Sequence, residues 1–348
     1  MNGNLAAIKP SSVCIIILAY GSRTEHLKNV LEAVFDEEPG HVIVVANAVN
    51  SNTDNLLKEL EKRYKSLLEI VHSDENIGSS GGYALGLQTA LNSHFDFFWL
   101  LDDDNLPNYR SLIPLLNSFV FYNKTIEKRN LMLQSLRVSL PSMKNIVQNG
   151  MKPHLPKNGS FIGFHILNLK DDLNKYLNKY LRKKTPKMFI NYKKPIKLHW
   201  STYGGLFMHR NVVDKIGLPN PDFFIDMDDL AYTLKFSLNG GNIFLVPESR
   251  LTDLDPLSNV TDINKPNIYR QLNLLSDKRC YYRTRNRIYL GKLFFPGNPI
   301  TYFINKWLYL FLLFSFTVTL FTYKRFNLII KAIRDGEQAR LGKNNLYE

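Results

Sequence analysis

Residues Phe97 to Asn105 read FFWLLDDDN, five apolar side chains followed at once by three aspartates and an asparagine. An uninterrupted apolar run of this kind is typical of a strand that is buried on both faces of a sheet. In open α/β sheets, ligands bind just beyond the carboxyl ends of the strands. The stretch therefore predicts a buried strand that ends in a polar ligand-binding edge.

The residues before this strand alternate short apolar runs with helical patterns. The predicted strands are Val13–Ala19, His41–Ala46 and Leu68–His72, and the predicted helices are Glu25–Phe35, Asn52–Tyr64 and Gly82–Asn92. Ser51 or Thr53 is the expected N-cap of the second helix. Strands that alternate with helices predict a mostly parallel α/β sheet with helices on both faces. Cys14, in the first apolar run, is expected to be a small core residue.

The pattern weakens after residue 122. We interpret the basic, Asn-rich residues 123–197 as an insertion that builds part of an acceptor surface. Regular alternation returns over Leu198–His209, followed by a helix at Asp228–Asn239 and a strand at Ile243–Val246. The predicted organisation is one domain over 1–276, with halves at about 11–122 and 123–276, and a helical tail over 277–348.

The three adjacent carboxylates of Asp102–Asp104 repel one another, so the cluster is costly unless a cation neutralises it. Mg²⁺ is usually held by one or two carboxylates together with substrate phosphates. Asp102 and Asp104 can converge on one ion while Asp103 points elsewhere. The alternative is that the acids cap a helix over Tyr109–Phe121, although a single capping residue would be enough for that.

Two further segments point to a ligand. Glu75–Gly82 (ENIGSSGG) is a glycine-rich turn that precedes a helix, where the backbone can approach an anion. It matches neither the dinucleotide nor the Walker A spacing, and an ordinary turn is the alternative. Asp228 and Asp229 open a later helix, and they either cap it or, beside a metal–diphosphate site, supply a general base for an attacking hydroxyl.

The ordered set of motifs resembles the family 2 glycosyltransferases, and particularly bacterial galactofuranosyl- and rhamnosyltransferase-like members. The motifs are the AYGSR end of the first strand, Asn-x-Gly-x-x-Gly-Gly, Asp-Asp-Asp, Trp-x-x-x-Gly-Gly, Asp-Asp and a basic Tyr-Tyr-x-x-Arg-Asn tail, over about residues 13–290. The resemblance implies the GT-A fold, which is Rossmann-like. It also implies an inverting, single in-line displacement at the anomeric carbon of a nucleotide-sugar.

Site roles follow from the resemblance position by position. The donor-binding residues would be Ala19, Tyr20, Arg23, Asn47, Asn76, Gly78, Gly82, Asp102 and Asp103. The ligands of Mg²⁺ or Mn²⁺ would be Asp102, Asp104 and Asp253, and the acceptor would lie on Trp200, Gly204 and Gly205. Asp229 would be the general base, and Asp228 would position the acceptor or Asp229 itself.

This chain departs from the family pattern at two places. Ala46-Asn47 stands where family members often have Asp-Asn, which puts the choice of nucleotide base in doubt. Asp253 stands where the family tends to place a histidine ligand, and an oxygen ligand still suits Mg²⁺ or Mn²⁺.

The formal charge of +13 predicts an anionic partner. Residues 170–197 hold ten basic residues against Asp171 and Asp172, which favours a membrane-surface patch over a merely solvated face. No nucleic-acid partner is expected, because no recognised nucleic-acid module accompanies the charge. In the tail, Arg283 and Arg285 are expected to neutralise donor or lipid phosphates, with a surface basic helix as the alternative.

The segment 303–323, uncharged from Trp307 to Tyr323, is at the short limit for a spanning helix, which needs ~20 apolar residues. An embedded or interfacial helix is preferred to a buried core helix. The start of the chain lacks a secretory signal, and its two cysteines cannot form a disulfide framework. These features predict a location at the cytoplasmic face of the cell membrane.

The expected activity is transfer of galactofuranose or another hexose from a UDP- or dTDP-sugar to a lipid-linked glycan. Such a reaction would serve synthesis of a cell-surface polysaccharide such as a capsule, an O-antigen or a cell wall. The alternatives are a rhamnosyltransferase that uses dTDP-rhamnose, a nucleotidyltransferase, and a non-catalytic sugar-binding protein. An early Lys or Arg in a glycine-rich first turn, which a nucleotidyltransferase would need, is missing from the sequence.

Overall fold

A computed structural model describes residues 8–149, 155–168, 194–255 and 267–347. The strands in these ranges are β1 (Val13–Tyr20), β2 (His41–Asn47), β3 (Leu68–Ser73), β4 (Phe97–Asp102), β5 (Asn105–Pro107), β6 (Leu131–Arg137), β7 (Ile196–Leu198), β8 (Leu206–His209) and β9 (Asn242–Asp253). The helices are α1 (Thr24–Phe35), α2 (Ser51–Tyr64), α3 (Gly78–Leu91), α4 (Leu112–Tyr122), α5 (Pro141–Asn149), α6 (Arg210–Ile216), α7 (Asp228–Leu238), α8 (Asn267–Asn273), α9 (Asp277–Phe294), α10 (Pro299–Leu320) and α11 (Tyr323–Glu337).

The strands form one sheet in the order β3-β2-β1-β4-β8-β6-β9-β5, and β7 also pairs with β9. The βαβ pattern predicted parallel strands. The strands that it identified pair in parallel, in the order β3, β2, β1 and β4. β8 then runs antiparallel to β4, with Leu206 opposite Leu100. The residues that precede β8 therefore lie at the carboxyl end of β4, beside its acids.

Alternate residues of the central strands face opposite helical layers. Cys14 and Ile16 belong to one apolar cluster, and Ile15 and Ile17 to the other. All four side chains are fully buried, which confirms Cys14 as a core residue. Burial on both faces explains why these strands read as continuous apolar runs.

The sequence interpretation missed β6, because residues 123–197 were treated as one insertion. All seven residues of Leu131–Arg137 are buried, and β6 pairs with β8 and β9 in the interior of the sheet. The polar residues Gln134 and Ser135 interrupt its apolar run, but both are fully buried. Gln134 donates from Nε2 to the carbonyl of Gly204 over 2.7 Å, so hydrogen bonding satisfies the buried amide.

Two helix starts also differ from the prediction. The N-cap of α2 is Asn50, whose side chain accepts from the backbone N–H of Thr53 at 3.0 Å, so the assignment of Ser51 or Thr53 was wrong. Helix α3 begins at Gly78 rather than Gly82. The second and third glycines of the motif therefore lie within its first turns, and the third, Gly82, allows the helix to approach Leu18 in the sheet.

The chain divides into two compact units. Unit 1 comprises Met1–Pro153, Phe189–Phe224 and Asp228–Pro256, and it contains the sheet. Unit 2 comprises His154–Met188, Ile225–Met227 and Leu257–Glu348, and it contains α8 to α11. The domain boundary at residue 276 and the halves at 11–122 and 123–276 stay predictions.

His209, at the end of β8, is a buried neutral imidazole that caps α6. Its Nδ1 accepts from the backbone N–H of Asn211 at 3.1 Å. Burial, followed by the charge of Lys128, lowers the pKa of His209 to about 4. A protonated ring could not accept this hydrogen bond.

We expect the free energy of unfolding to decrease as the pH is lowered, because His209 stays neutral in the folded protein. The unfolded imidazole has a pKa of about 6.5, so between pH 6.5 and pH 4 the unfolded state binds the additional proton. The loss between pH 7.5 and pH 5 should be about 2 kcal/mol. Urea unfolding of the wild type and of His209→Asn, whose amide keeps a capping oxygen, measures it. Equal losses in both proteins would contradict the assignment.

Candidate functional site

The acids that follow β4 are buried at the carboxyl edge of the sheet. Asp103 is 3% exposed and Asp104 6% exposed. The next residues form β5, which pairs antiparallel with the end of β9 so that Asn105 lies opposite Asp253. Asn105 donates from Nδ2 to Asp104 at 2.9 Å and to Asp253 at 3.1 Å. Two of the predicted metal ligands thus share one hydrogen-bond partner although 149 positions separate Asp104 from Asp253 in the chain (253 − 104).

Two arginines hold these carboxylates. Arg137, at the end of β6, donates from Nε to Asp253 at 2.7 Å and from Nη1 to Asp102 at 3.4 Å. Arg23 donates from Nη1 to Asp103 at 3.2 Å and to Asp104 at 3.3 Å. Arg23 was predicted as a donor-binding residue, whereas Arg137 was missed. Arg137 gave little sequence signal, because Gln134 and Ser135 interrupt the apolar run that precedes it.

The ionised form of these carboxylates is still unfavourable in the folded protein, despite the two arginine partners. Burial, together with the Asp102 carboxylate, raises the pKa of Asp104 to about 7, although Arg137 and Arg23 act in the opposite direction. Burial also raises the pKa of Asp103 and of Asp253. The edge therefore favours an additional positive charge.

One carboxylate oxygen at this edge has the character of a cation ligand. Oδ2 of Asp253 is buried and has no hydrogen-bond partner among the described residues. A hard cation would satisfy such an oxygen, and carboxylate oxygens are its preferred ligands. In the described part of the chain, no three Asp, Glu, His or Cys side chains are placed to hold one metal ion together, and the ligand set of Asp102, Asp104 and Asp253 stays a prediction.

The acids do not cap the helix that follows them, so that alternative was wrong. Helix α4 begins at Leu112, and β5 intervenes between it and Asp104. The backbone N–H groups of Ser111 and Leu112 donate to the Glu37 carboxylate at 2.7 and 2.9 Å. Glu37 therefore fills the capping role, and the three aspartates need another explanation.

The glycine-rich turn is held from inside by two asparagines. Asn47 accepts from the backbone N–H of Ile77 at 2.9 Å, and Asn76 accepts from that of Gly78 at 2.9 Å. Gly78 has φ +72°, and a Cβ there would lie 2.1 Å from the carbonyl oxygen of Phe224. A Cβ on Gly82 would lie 2.3 Å from Leu18 in β1. These residues shape the turn, and their contact with a donor stays a prediction.

The first-strand residues lie next to the acids. Ala19 is buried, whereas the side chain of Tyr20 is 50% exposed. The backbone N–H of Tyr20 donates to Asp103 at 3.0 Å. Asn76 donates to the hydroxyl of Tyr20 at 3.4 Å, so the turn and the end of β1 are in contact.

A chain of contacts joins the acids of β4 to the second acidic pair. The Tyr83 hydroxyl donates to Asp102 at 2.7 Å, and its ring packs on Tyr203 with centroids 4.5 Å apart. The Tyr203 hydroxyl donates to the carbonyl of Asp228 at 3.2 Å. The carboxylate of Asp228 accepts from Ser79 of the glycine-rich turn at 2.6 Å. Neither tyrosine was singled out from the sequence.

Asp229 follows on the first turn of α7. Its Oδ1 accepts from the backbone N–H of Leu230 at 2.6 Å, and its carbonyl accepts from Thr233 at 2.7 Å. The first contact is with the adjacent N–H and is not the N-cap bond to the second or third residue onward, so the capping alternative stays open. The role of Asp229 as a base stays a prediction.

The Gly204-Gly205 segment lies directly against the acidic edge. A Cβ on Gly204 would lie 2.1 Å from Asn105 Oδ1 and 2.7 Å from Asp102 Oδ2. Gly205 has φ +90°, and its N–H donates to the carbonyl of Leu100 at 2.7 Å. Trp200, half-buried, precedes this segment. At position 204 only glycine leaves room for Asn105 and Asp102.

Gly204→Ala is expected to lower kcat/KM by about 10²-fold, because displacement of catalytic groups by about 1 Å has effects of that size. The added methyl group should also cost about 1–3 kcal/mol of stability through overpacking. Turnover and thermal unfolding of the variant measure both effects. Gly291→Ala is the control, because nothing lies closer than 3.9 Å to a Cβ there. Normal turnover in Gly204→Ala would contradict the proximity of this glycine to the working site.

Comparison with known proteins gives three findings. The family model described as "Glycosyltransferase like family 2" matches residues 10–271. Galactofuranosyltransferase GlfT1 of Mycolicibacterium smegmatis is 34% identical over 108 residues, which cover 30% of this chain and 34% of that relative. The structure of GalNAc-T7 with UDP, GalNAc and Mn²⁺ aligns with a TM-score of 0.51 at 16% identity, over 74% of this chain and 45% of that one.

Each match covers only part of the protein with which the chain was compared. The match to the curated relative spans about a third of its length, and the alignment to GalNAc-T7 spans less than half of that chain. At 16% identity, the structural likeness concerns the fold. It confirms the GT-A prediction for the mixed α/β sheet with flanking helices.

Proposed function

The chain belongs to the glycosyltransferase-like family 2, and from this membership we propose that it transfers a hexosyl group from a nucleotide-sugar to a hydroxyl of a lipid-linked glycan. The observation that carries the proposal is the buried edge where Asp104 and Asp253 share Asn105. A run of hydrogen-bonded and stacked side chains joins Asp102 of that edge to Asp228. The proposed reaction needs acids at both of these places, one set to hold a metal ion and one to act as the base.

The proposed reaction is a single displacement with inversion. The acceptor hydroxyl oxygen forms a bond to the anomeric carbon as the bond from that carbon to the diphosphate oxygen breaks. Asp229 takes the hydroxyl proton, and the electron pair of the broken bond leaves with the nucleoside diphosphate. Asp228, fixed by Ser79 at 2.6 Å, orients the acceptor or Asp229. Alignment of hydroxyl and donor lowers the entropic part of the barrier.

Asp102, Asp104 and Asp253 are the residues proposed to hold Mg²⁺ or Mn²⁺. The ion supplies positive charge for the departing diphosphate. Arg23 and Arg137 pair with these carboxylates, so they hold the acids in position and add positive charge to the same edge. Arg23 is also proposed to bind donor phosphate, since its side chain is 39% exposed.

We propose galactofuranose from a UDP-sugar as the first donor to test, because the curated relative is named a galactofuranosyltransferase. Rhamnose from a dTDP-sugar is the alternative, since Ala46-Asn47 does not specify the base. The acceptor is proposed to lie over Trp200 and the Gly204-Gly205 segment. The product would enter a capsule, an O-antigen or a cell wall.

The outer face of α10 supports the proposal of membrane association, and the cytoplasmic side is proposed with it. Over its 22 residues α10 is long and apolar enough to cross a bilayer. One face is packed within unit 2 through Tyr309 and Leu313, whereas Phe303, Trp307 and Phe311 are 59, 55 and 67% exposed. No acidic residue occurs from Lys278 to Arg334, which contains eleven Lys and Arg residues. A basic, apolar surface suits anionic lipid. The basic stretch 170–193 lies outside the described residues.

The test is a screen of UDP-galactofuranose, UDP-galactose, UDP-glucose and dTDP-rhamnose, with and without a prenyl diphosphate-linked glycan. We expect release of nucleoside diphosphate from one donor, a loss of about 10³-fold on chelation by EDTA, and recovery with Mn²⁺. Release that persists in EDTA would contradict the metal assignment. Donor binding with no turnover would instead support the non-catalytic alternative, and release of pyrophosphate would support a nucleotidyltransferase.

A further inference from the structure

Helix α10 presents an apolar stripe to solvent. Seven large apolar side chains recur at the spacing of one helix face and are 41–68% exposed: Ile300, Phe303, Ile304, Trp307, Phe311, Phe314 and Val318. None of them is charged, and at 1.5 Å per residue the stripe is about 27 Å long. An exposed apolar surface of this extent marks a site that binds a protein or a membrane.

The opposite face of α10 is tied to unit 2 by polar groups. Asn305 is fully buried and donates to the carbonyl of Gly159 at 2.9 Å. Lys306 donates to both carboxylate oxygens of Glu337, in α11, at 2.7 and 2.8 Å. At 100° per residue these two side chains fall on the side of the helix away from the stripe. One face of α10 therefore holds the helix to the protein, and the other is exposed.

These bonds favour an orientation of α10 along a membrane over one across it. Lys306 lies about 5 Å from the middle of the helix, so a spanning α10 would place it deep in hydrocarbon that is ~30 Å thick. Glu337 would have to follow Lys306, and Gln271 of α8 would have to follow Tyr309, whose hydroxyl donates to it. Charged groups in hydrocarbon are costly. A helix in the plane of the membrane keeps all of these bonds, and only its stripe contacts lipid.

The residue that ends α10 also favours contact with lipid. Phe321 adopts the left-handed conformation, with φ +55°, at a position that glycine often occupies. A residue with a Cβ is strained in this conformation. The Phe321 side chain is 82% exposed, so packing within the protein does not offset the strain. Transfer of the ring from water into lipid would offset it.

The charges around the stripe fit anionic lipid. Lys292 precedes α10 and Lys324 follows it, and both side chains are exposed. Basic groups beside an apolar helix face attract anionic headgroups. A second copy of the chain fits less well, because pairing of two stripes would bring the same lysines together.

Arg285, predicted from the sequence as a phosphate-neutralising residue, does not contribute to this surface. It is fully buried, and its Nη1 donates to the carbonyl of Gly342 at 2.6 Å. The prediction for Arg285 was therefore wrong, and that for Arg283 stays a prediction.

We propose that α10 is an in-plane membrane anchor, whose stripe and Phe321 insert into the surface of an anionic bilayer while its opposite face stays packed on unit 2. Helices of this kind insert about 5–10 Å, to the boundary between headgroups and acyl chains. Both ends of α10 then lie on the same side of the membrane. This orientation rests on the membrane association proposed above, but it does not depend on sugar transfer.

Thiol labelling of membrane vesicles tests the orientation. The native Cys14 and Cys280 are buried, so cysteines introduced at exposed positions report accessibility. Asp214→Cys lies before α10 and Asn327→Cys after it, and both positions are exposed. In sealed inside-out vesicles from cells that produce the full chain, we expect a membrane-impermeant maleimide to label both without detergent. Labelling of Asn327→Cys only after addition of detergent would overturn the proposal in favour of a spanning helix.

Sedimentation with phosphatidylglycerol vesicles tests the stripe itself. Phe311→Gln should weaken binding by about 10-fold or more, because burial of a phenylalanine ring in apolar surroundings contributes a factor of that size. Phe121→Gln, on α4, is the matched control, since its side chain is 65% exposed against 67% for Phe311 and lies outside the stripe. Its binding should equal that of the wild type. Equal binding by all three proteins would overturn the proposal, as would a lipid-free dimer that Phe311→Gln dissociates.

Thermal unfolding without lipid separates lipid contact from a structural role. Because Phe311 is exposed, the Tm of Phe311→Gln should equal that of the wild type. A lower Tm with unchanged vesicle affinity would contradict the anchor. All three measurements are made in EDTA and without nucleotide-sugar, so failure here is distinct from failure of sugar transfer.

Discussion

Replacement of Asp229 by asparagine is expected to lower kcat for sugar transfer by about 10²- to 10⁴-fold, the usual contribution of a general base. The amide keeps an oxygen for the backbone N–H of Leu230, which Asp229 now binds at 2.6 Å. It cannot take the proton of the acceptor hydroxyl. The affinity for nucleoside diphosphate should change little, since the loss concerns the transition state.

Asp214→Asn provides the matched control for this variant, because Asp214 is an exposed acid on the adjacent helix α6. Its turnover should equal that of the wild type. If Asp229→Asn kept kcat within about 3-fold of the wild type, Asp229 would be a capping residue and another group would be the base. Initial rates at saturating donor, together with nucleotide affinity, decide between the two roles.

Asp104→Asn is expected to lower kcat/KM by about 10³-fold, since loss of a metal ligand removes several kcal/mol of transition-state stabilisation. Its stability should not fall. Burial and Asp102 raise the pKa of Asp104 to about 7, so the ionised carboxylate is unfavourable in the folded protein. A neutral amide relieves that cost and still accepts from Asn105. A loss of activity without a matching loss of stability would identify a functional acid.

Asp96→Asn is the control for this second variant. Asp96 precedes the opposite end of β4, and its side chain is 61% exposed. We expect normal turnover and normal metal dependence. A large drop in Tm for Asp104→Asn would instead indicate that the acid stabilises the fold through Arg23.

The sequence predicted the parallel half of the sheet because its strands are buried on both faces. Val13–Tyr20 reads as one apolar run, and seven of its eight residues are buried. The acidic edge was predictable for a related reason, since Asp102–Asp104 interrupt such a run at its carboxyl end. Local pattern and position in the sheet agree there.

The second half depends on contacts between distant residues. β6 contains Gln134, whose amide bonds not only the neighbouring carbonyl of Ser135 but also Ser201 and Gly204, more than sixty residues later in the chain. Arg137 is paired with Asp253 across 116 positions. No local pattern predicts such pairs, so both the strand and the arginine were missed.

Some residues predicted to line the donor have a structural role in the protein itself. Asn47 is 2% exposed and holds the glycine-rich turn. Gly82 allows α3 to approach Leu18. The turn requires these residues at fixed positions for structural reasons. Their spacing in the sequence therefore indicates the turn. Contact with a donor is a separate property that ligand binding must test.

The most direct test of the acidic edge is the affinity of the protein for Mn²⁺, measured by electron paramagnetic resonance with and without UDP. We predict that UDP strengthens Mn²⁺ binding to the wild type and that Asp104→Asn abolishes this effect while Asp96→Asn retains it. Equal Mn²⁺ affinities in all three proteins, with or without UDP, would contradict the proposal that these acids hold the ion and the donor diphosphate together.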